Sequence, residues 1–410
     1  MSPEPPESVQ TELPDRPLPY AALSPDQQRQ RLVELATVFL RLGTIAFGGP
    51  AAHIALMDAE IVQRRQWLSR ETLLDLMGVT NLIPGPNSTE LAIHIGYDRA
   101  GWRGLIVAGA CFIFPAMTLV WGLAALYAQY QTVPQVGWLL AGVKPVIMAI
   151  VVQALWMLGR KAAKDVPTIA AGLGAIAGYL AGFNEIGLLL GLGVAVMLIK
   201  QWQRQRGSTL GLWGAPFLGT LAQTLPQPPT SSPNPVSWLQ VFLFFLKIGS
   251  VLYGSGYVLL AFLQRNLVEQ HQWLTSQQLL DAIAIGQVTP GPVFTTATFI
   301  GYLLAGHAGA IAGTVGIFLP AFVLVALVNP WVPKLRRSPW TSGFLDGVNA
   351  ASLGLMAGVT WTLGRTALVN WQMVVIAIVS AIAIVRFKIN SAWLVLAGAI
   401  VGFLCLRGMG

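Results

Sequence analysis

The tetrapeptide Asn87-Ser88-Thr89-Glu90 follows directly on Pro84-Gly85-Pro86, so polar side chains stand where a broken helix restarts. Proline removes a backbone donor and keeps the residue before it out of the α region, so Pro84 and Pro86 end one helix and open another. The amides of Asn87, Ser88 and Thr89 then carry the partial positive charge of a helix N-terminus, which suits an oxyanion. The same residues also read as a capping box closed by Glu90, which would only finish the helix. Three cations lie in apolar segments: Arg41, Lys144 and Lys247. Each costs about 2.5 to 3.5 kcal/mol on insertion scales unless it has a partner, a role or a snorkelling route to an interface. Arg41 precedes Gly48-Gly49-Pro50 by about two helical turns, and Lys144 directly precedes Pro145. A dianion at mid-membrane needs a fixed cation, since a helix dipole supplies at most about 2 kcal/mol. Arg41 and Lys144 are therefore expected together at the anion. Glu90, His53 and His94 are the candidates for carrying a proton with it, although each histidine also fits a hydrogen-bonded interior position. Asp75 and Asp281 each follow a Trp-Leu-Ser/Thr turn and read equally well as helix-packing or interface residues.

The elements that must position these groups are membrane helices. Of 410 residues, 54% are hydrophobic and 10% charged, and soluble classes are set aside on that ground. Apolar stretches of membrane-crossing length recur from Leu32 to Leu406. The fold class is an all-α polytopic membrane protein of the cell inner (plasma) membrane. Residues 1–30 are polar and proline-rich without a signal-peptide pattern, and read as a disordered tail. The net charge of +8 comes from basic residues scattered over short loops, which speaks for membrane topology and against a nucleic-acid partner. Cys111 and Cys405 give neither a disulfide framework nor a metal site. No His-Glu-x-x-His, carboxylate cluster or base beside a nucleophile is present, so an intramembrane enzyme is a remote reading and no metal or cofactor is expected.

The chain contains one unit twice. LGTIAFGGPAAH from Leu42 aligns with IGSVLYGSGYVL from Ile248, and Gly43 and Gly249 are 206 positions apart. The same offset pairs Trp67 with Trp273, Asp75 with Asp281, and Pro84-Gly85-Pro86 with Pro290-Gly291-Pro292. After the second break comes Val293-Phe294-Thr295-Thr296, which keeps the amide donors and loses the glutamate. The units occupy 31–200 and 238–410, joined by a polar linker, 201–237. Basic loops stay cytoplasmic, and the basic and neutral loops of one unit exchange places in the other. One assignment puts sixteen of the 25 basic residues inside, six outside and three in apolar segments. This predicts inverted repeats, each with about five crossings (the first at Leu32 to Phe47) and a Pro-Gly-Pro segment that is broken or re-entrant. Inverted repeats with interrupted helices are the pattern of secondary transporters.

Phe47-Gly48-Gly49-Pro50, the two Pro-Gly-Pro segments and the duplicated, oppositely oriented unit make the chain similar to the chromate ion transporter family. The resemblance covers Leu32 to Leu406. It implies a secondary transporter of tetrahedral oxyanions that exports chromate and confers resistance to it, with sulfate as a look-alike dianion. Some relatives serve sulfur supply, so proton-coupled sulfate uptake is the alternative. The resemblance extends the expected substrate contacts to Gly48, Gly49, Pro50, Pro84, Gly85, Pro86, Pro290, Gly291, Pro292, Thr295 and Thr296. Gly254-Ser255-Gly256 replaces Gly-Gly-Pro in the second half, which shifts the expected contacts toward the first. A homodimer is left open.

Overall fold

The computed structural model describes residues 20–81, 83–131, 133–206, 236–253, 258–328, 339–387 and 389–407. The first nineteen residues of the tail, most of the linker, Gly254-Ser255-Gly256, the loop with Lys334, Arg336 and Arg337, and Lys388 lie outside the described residues.

All regular structure among the described residues is helical. The first half comprises α1 (Pro25–Ile45), α2 (Gly49–Met57) with a wider turn over Asp58–Arg64, α3 (Arg70–Thr80), α4 (Asn87–Tyr130), α5 (Pro134–Ala162), α6 (Val166–Leu180) and α7 (Glu185–Arg206). The second repeats the order with α8 (Trp238–Val251), α9 (Leu259–Leu263) and its wider turn Gln264–Gln270, α10 (Ser276–Val288), α11 (Thr296–Val328), α12 (Pro339–Ala367), α13 (Trp371–Phe387) and α14 (Ser391–Arg407). Among the described residues four helices are long and apolar enough to cross a bilayer, at Asn87–Tyr130, Gln135–Ala162, Glu185–Arg204 and Val293–Val328, and four shorter apolar helices accompany them. The chain is an all-α polytopic membrane protein built from two repeats.

Local chemistry explains where the helices start and turn. Ser24 and Gln27 form a capping box before Pro25, so α1 begins inside the segment read as a tail. Leu35, Val38, Phe39 and Leu42, spaced by three or four residues, bury one face of α1 in a cluster with Ala108 and Phe112 of α4. Ser69 caps α3 by accepting from the Thr72 amide, and Thr275 caps α10 in the same way through Gln278. α4 and α11 each consist of two arms folded at a sharp turn, at Gly101 (φ 57°) and Gly306 (φ 61°). Glycine supplies that backbone without a Cβ penalty. Close crossings elsewhere use small residues: a Cβ on Gly142 would overlap Gly398 of α14, and one on Gly193 would meet Val348 of α12.

The structure changes one element of the expected topology. Arg65 and Arg99 both pair with Glu34, at 2.8 and 3.2 Å, and both stack on Trp67. The middle of α1 at Glu34, the end of the α2 segment and the end of the first arm of α4 therefore share one level of the bundle. α3, at about 1.5 Å per residue, reaches only about 16 Å, half of a 30 Å hydrocarbon core. The Pro-Gly-Pro segment is thus the tip of a hairpin, α3 with the first arm of α4. Leu32 to Phe47, expected as a crossing, is answered by a return: the chain reverses at Gly48 and Gly49, and α2 runs back toward Glu34. Among the described residues the first repeat thus folds back twice, at Gly48-Gly49 and at Pro84-Gly85-Pro86. An apolar stretch of the same length serves either course, and the ion pairs at Glu34 select the second.

The second arms of α4 and α11 run antiparallel. Trp121 near the far end of α4 donates to His307 at the start of the second arm of α11, while Gly109 near the start of the second α4 arm packs against the Phe322 ring farther along α11. Asp346 near the start of α12 meets Lys164 and Lys200 at the end where α5 and α7 finish. Arg265, at the base of the second repeat's hairpins, meets Glu185 and the carbonyl of Gly182 at the other end.

Candidate functional site

The tips of the hairpins meet inside the bundle. α1 stops at Ile45, Gly48 (φ 102°) and Gly49 (φ 78°) reverse the chain, and Pro50 opens α2. One turn on, His53 is buried and bridges both breaks of the first repeat. Its Nε2 lies 3.0 Å from the Ala46 carbonyl and its Nδ1 3.1 Å from Ser88 Oγ. A carbonyl can only accept, so Nε2 carries the proton and Ser88 donates to Nδ1. At the counterparts of His53 and Ser88 the second repeat has Leu259 and Phe294, and the polar clasp is absent there.

The two repeats are laced together by a reciprocal pair of hydrogen bonds. The Gly85 amide donates to the Leu252 carbonyl at 2.7 Å, and the Gly291 amide donates to the Ala46 carbonyl at 2.8 Å. Both members of each pair are 206 positions from their counterparts, so each Pro-Gly-Pro tip is held by the end of the opening helix of the other repeat. Gly85 (φ 145°) and Gly291 (φ 94°) adopt backbone that only glycine takes freely. A Cβ on Gly291 would fall 2.6 Å from the Ala116 Cβ, and one on Gly85 would overlap the Glu90 carboxylate.

The donors left for an anion are fewer than the sequence suggests. The N-cap of α4 is Pro86 and no side chain caps it, so the capping-box reading of Asn87, Ser88 and Glu90 does not hold. The Pro86 carbonyl already accepts from the amides of Thr89 (2.8 Å) and Glu90 (3.0 Å), which leaves the Asn87 and Ser88 amides without an acceptor among the described residues. The Thr89 hydroxyl is fully buried and likewise without a partner there. Thr295 and Thr296 spend their hydroxyl protons on the Pro292 and Val293 carbonyls, so they offer an anion no donor. Glu90 is 0% exposed, and neither carboxylate oxygen has a hydrogen-bond partner among the described residues. His94, one turn beyond it, is also buried.

The cations do not gather as expected. Arg41 and Lys247 are exposed on equivalent positions of α1 and α8. Lys144 is 4% exposed and pairs at 3.2 Å with Asp281, itself 2% exposed, rather than standing beside Arg41. The Tyr127 hydroxyl donates to the other Asp281 oxygen at 3.0 Å. Asp281 precedes Pro290 by nine residues, about 13 Å along a helix, so the pair lies between the breaks and the end of the bundle remote from Glu34. Its partnership with Lys144 was open to charge balance, because a lone acid in the apolar run around it requires a cation. Asp75, the counterpart, is exposed.

Among comparisons with known proteins, the family model described as "Chromate transporter" matches residues 33–198 and again 239–403. A probable chromate transport protein of Synechococcus elongatus is 30% identical over 86% of this chain and 89% of its own length. The chromate transport protein of Cupriavidus metallidurans is 30% identical over 90% of this chain and 91% of its length, and that of Pseudomonas aeruginosa 28% identical over 92% and 93%. These relatives are named as transport proteins, not enzymes. No solved structure matches. With both halves matched in the same order as the structural repeats, the chain belongs to the chromate transporter family.

Proposed function

We propose that the protein is a secondary transporter of tetrahedral oxyanions that exports chromate across the plasma membrane and confers resistance to it, with sulfate recognised as a look-alike dianion. One observation carries the reading: breaks from both repeats converge inside the bundle, tied by the reciprocal Gly85–Leu252 and Gly291–Ala46 bonds. Irregular backbone within a membrane is tolerated only in protein or beside a cavity, and half-helix N-termini there favour anions. The names of the three relatives supply chromate. Export fits the membrane potential, since moving a dianion out of a negative interior gains about 4.6 kcal/mol per 100 mV, twice the single-charge value.

The test is uptake of labelled chromate into inside-out vesicles. With the lumen made positive, vesicles carrying the protein are expected to take up chromate and, in competition, sulfate. Rates equal to those of empty vesicles would end the reading. Proton-coupled sulfate uptake is the second reading, favoured by the buried Glu90 carboxylate, which has no hydrogen-bond partner among the described residues. It requires sulfate entry into right-side-out vesicles that collapses with the pH gradient and with Glu90→Gln.

The two repeats sit in the membrane with opposite orientation, the Glu34 end facing the cytoplasm. The antiparallel course of α4 and α11 supports this, as do Arg64, Arg65, Arg99, Arg103, Arg160, Lys161 and Lys164 at that end. Single cysteines at positions 160 and 365, equivalent in the two repeats, should react with impermeant maleimide from opposite faces in intact cells. Labelling of both from one face would refute the inversion.

A further inference from the structure

The Lys144–Asp281–Tyr127 cluster holds the most buried ion pair among the described residues; in the next most buried, Arg265–Glu185, the arginine is 13% exposed. The pairs at Glu34, Glu60 and Asp346 are partly exposed and fasten the ends of helices. Lys144 and Asp281 instead lie within the bundle, and neither has another charged partner among the described residues. Their arrangement is that of an anion site already filled. Tyr127 from α4 donates a hydrogen bond to one oxygen of a single carboxylate from α10 of the second repeat, and the Lys144 ammonium from α5 stands 3.2 Å from the other as an ion pair without a hydrogen bond between them. A tetrahedral oxyanion presents two oxygens along one edge in a similar way and could take both donors. From these contacts we infer that Asp281 is a tethered anion holding the place of substrate on Lys144 and Tyr127, and that the oxyanion binds there by displacing its carboxylate.

The inference rests on the transport reading above and deepens it, adding a second station between the central breaks and the end remote from Glu34. Displacement also unties a link between repeats, because the carboxylate belongs to one repeat and its two donors to the other. At the symmetry-related place Lys144 is matched by the neutral Asn349, and Asp75 is exposed. Buried half-pairs are costly, so exchanging one anion for another keeps Lys144 compensated throughout. The groups facing Asp281 are Lys144 from α5 and Tyr127 from α4; from the other elements packed on α10, no charged side chain pairs with it among the described residues. Protonation of Asp281 removes the competitor's charge and frees Lys144, so oxyanion affinity is expected to rise as pH falls.

The experiment is binding of labelled sulfate to the full-length protein in lipid nanodiscs, from mildly alkaline to mildly acidic buffer. The wild type should bind more tightly at the acidic end. Asp281→Asn keeps the shape and loses the competing charge, so it should bind about tenfold more tightly than wild type at neutral pH and lose the pH dependence. Lys144→Gln should lose most binding, and Lys144→Arg keep part of it. Should Asp281→Asn fail to fold, Asp281→Glu retains the charge and should bind no more tightly than wild type while keeping its pH dependence. Asp281→Asn with wild-type affinity and wild-type pH dependence, or Asp281→Glu that binds tightly and without pH dependence, would overturn the inference and leave the transport reading intact. A wild type that neither binds sulfate nor moves chromate would defeat the transport reading itself.

Discussion

Gly291→Val should abolish chromate flux while the protein still accumulates in the membrane, and Gly85→Val should do the same from the other repeat. Three costs coincide at each position. A β-branched residue at positive φ is a backbone outlier worth about 1 to 3 kcal/mol. The new Cβ at 291 would lie 2.6 Å from the Ala116 Cβ, and that at 85 would overlap Glu90. Relief moves the tip and breaks its bond to Ala46 or Leu252, about 1 kcal/mol more. A total near 3 kcal/mol is about a hundredfold in the population of the joined arrangement, and flux is expected to fall at least tenfold. Gly122→Ala is the control: it sits on α4 with open space where a Cβ would stand, and should leave flux unchanged. Initial rates in inside-out vesicles, normalised to protein in the membrane, decide it. Normal flux in both valine variants would mean that the tips are packing elements remote from the anion path.

Much of this architecture was legible because duplication is a pattern in the sequence itself. The constant offset linking Trp67 to Trp273 and Pro84 to Pro290 identifies the repeats, and proline chemistry marks the hairpin tips. The course of α1 was not legible. Hydropathy measures how apolar a stretch is, not whether its end is answered by a return helix, and the deciding partner, Glu34, is an ordinary acid near the middle of α1. The donor inventory was hidden for a similar reason. Spacing places Thr295 and Thr296 at a helix start, but only coordinates show their protons bound to the carbonyls behind them. Arg41 and Lys144 were grouped because both are cations in apolar runs, yet their side chains leave different helices in different directions. What the sequence lacked was the partner: Asp281 is more than one hundred residues from Lys144 and joins it only when the second repeat folds against the first.

Stability and transport should separate at that pair. Lys144→Met alone leaves an uncompensated buried carboxylate, and Asp281→Leu alone an uncompensated buried ammonium, each expected to cost about 3 to 5 kcal/mol. The double variant Lys144→Met/Asp281→Leu removes both charges and fills the space with apolar groups. It should return to within about 1 kcal/mol of wild type, a strongly non-additive result of the kind expected for residues in contact. Tyr127 then loses its acceptor, which accounts for part of the remaining deficit. Chromate flux should stay lost in Lys144→Met and in the double variant, because the double restores the bundle and leaves no cation to receive the anion. Denaturant unfolding in detergent reports the first quantity and vesicle uptake the second. Recovery of both in the double variant would make the pair a structural clamp, and the anion path would then run past it on the helix N-termini alone.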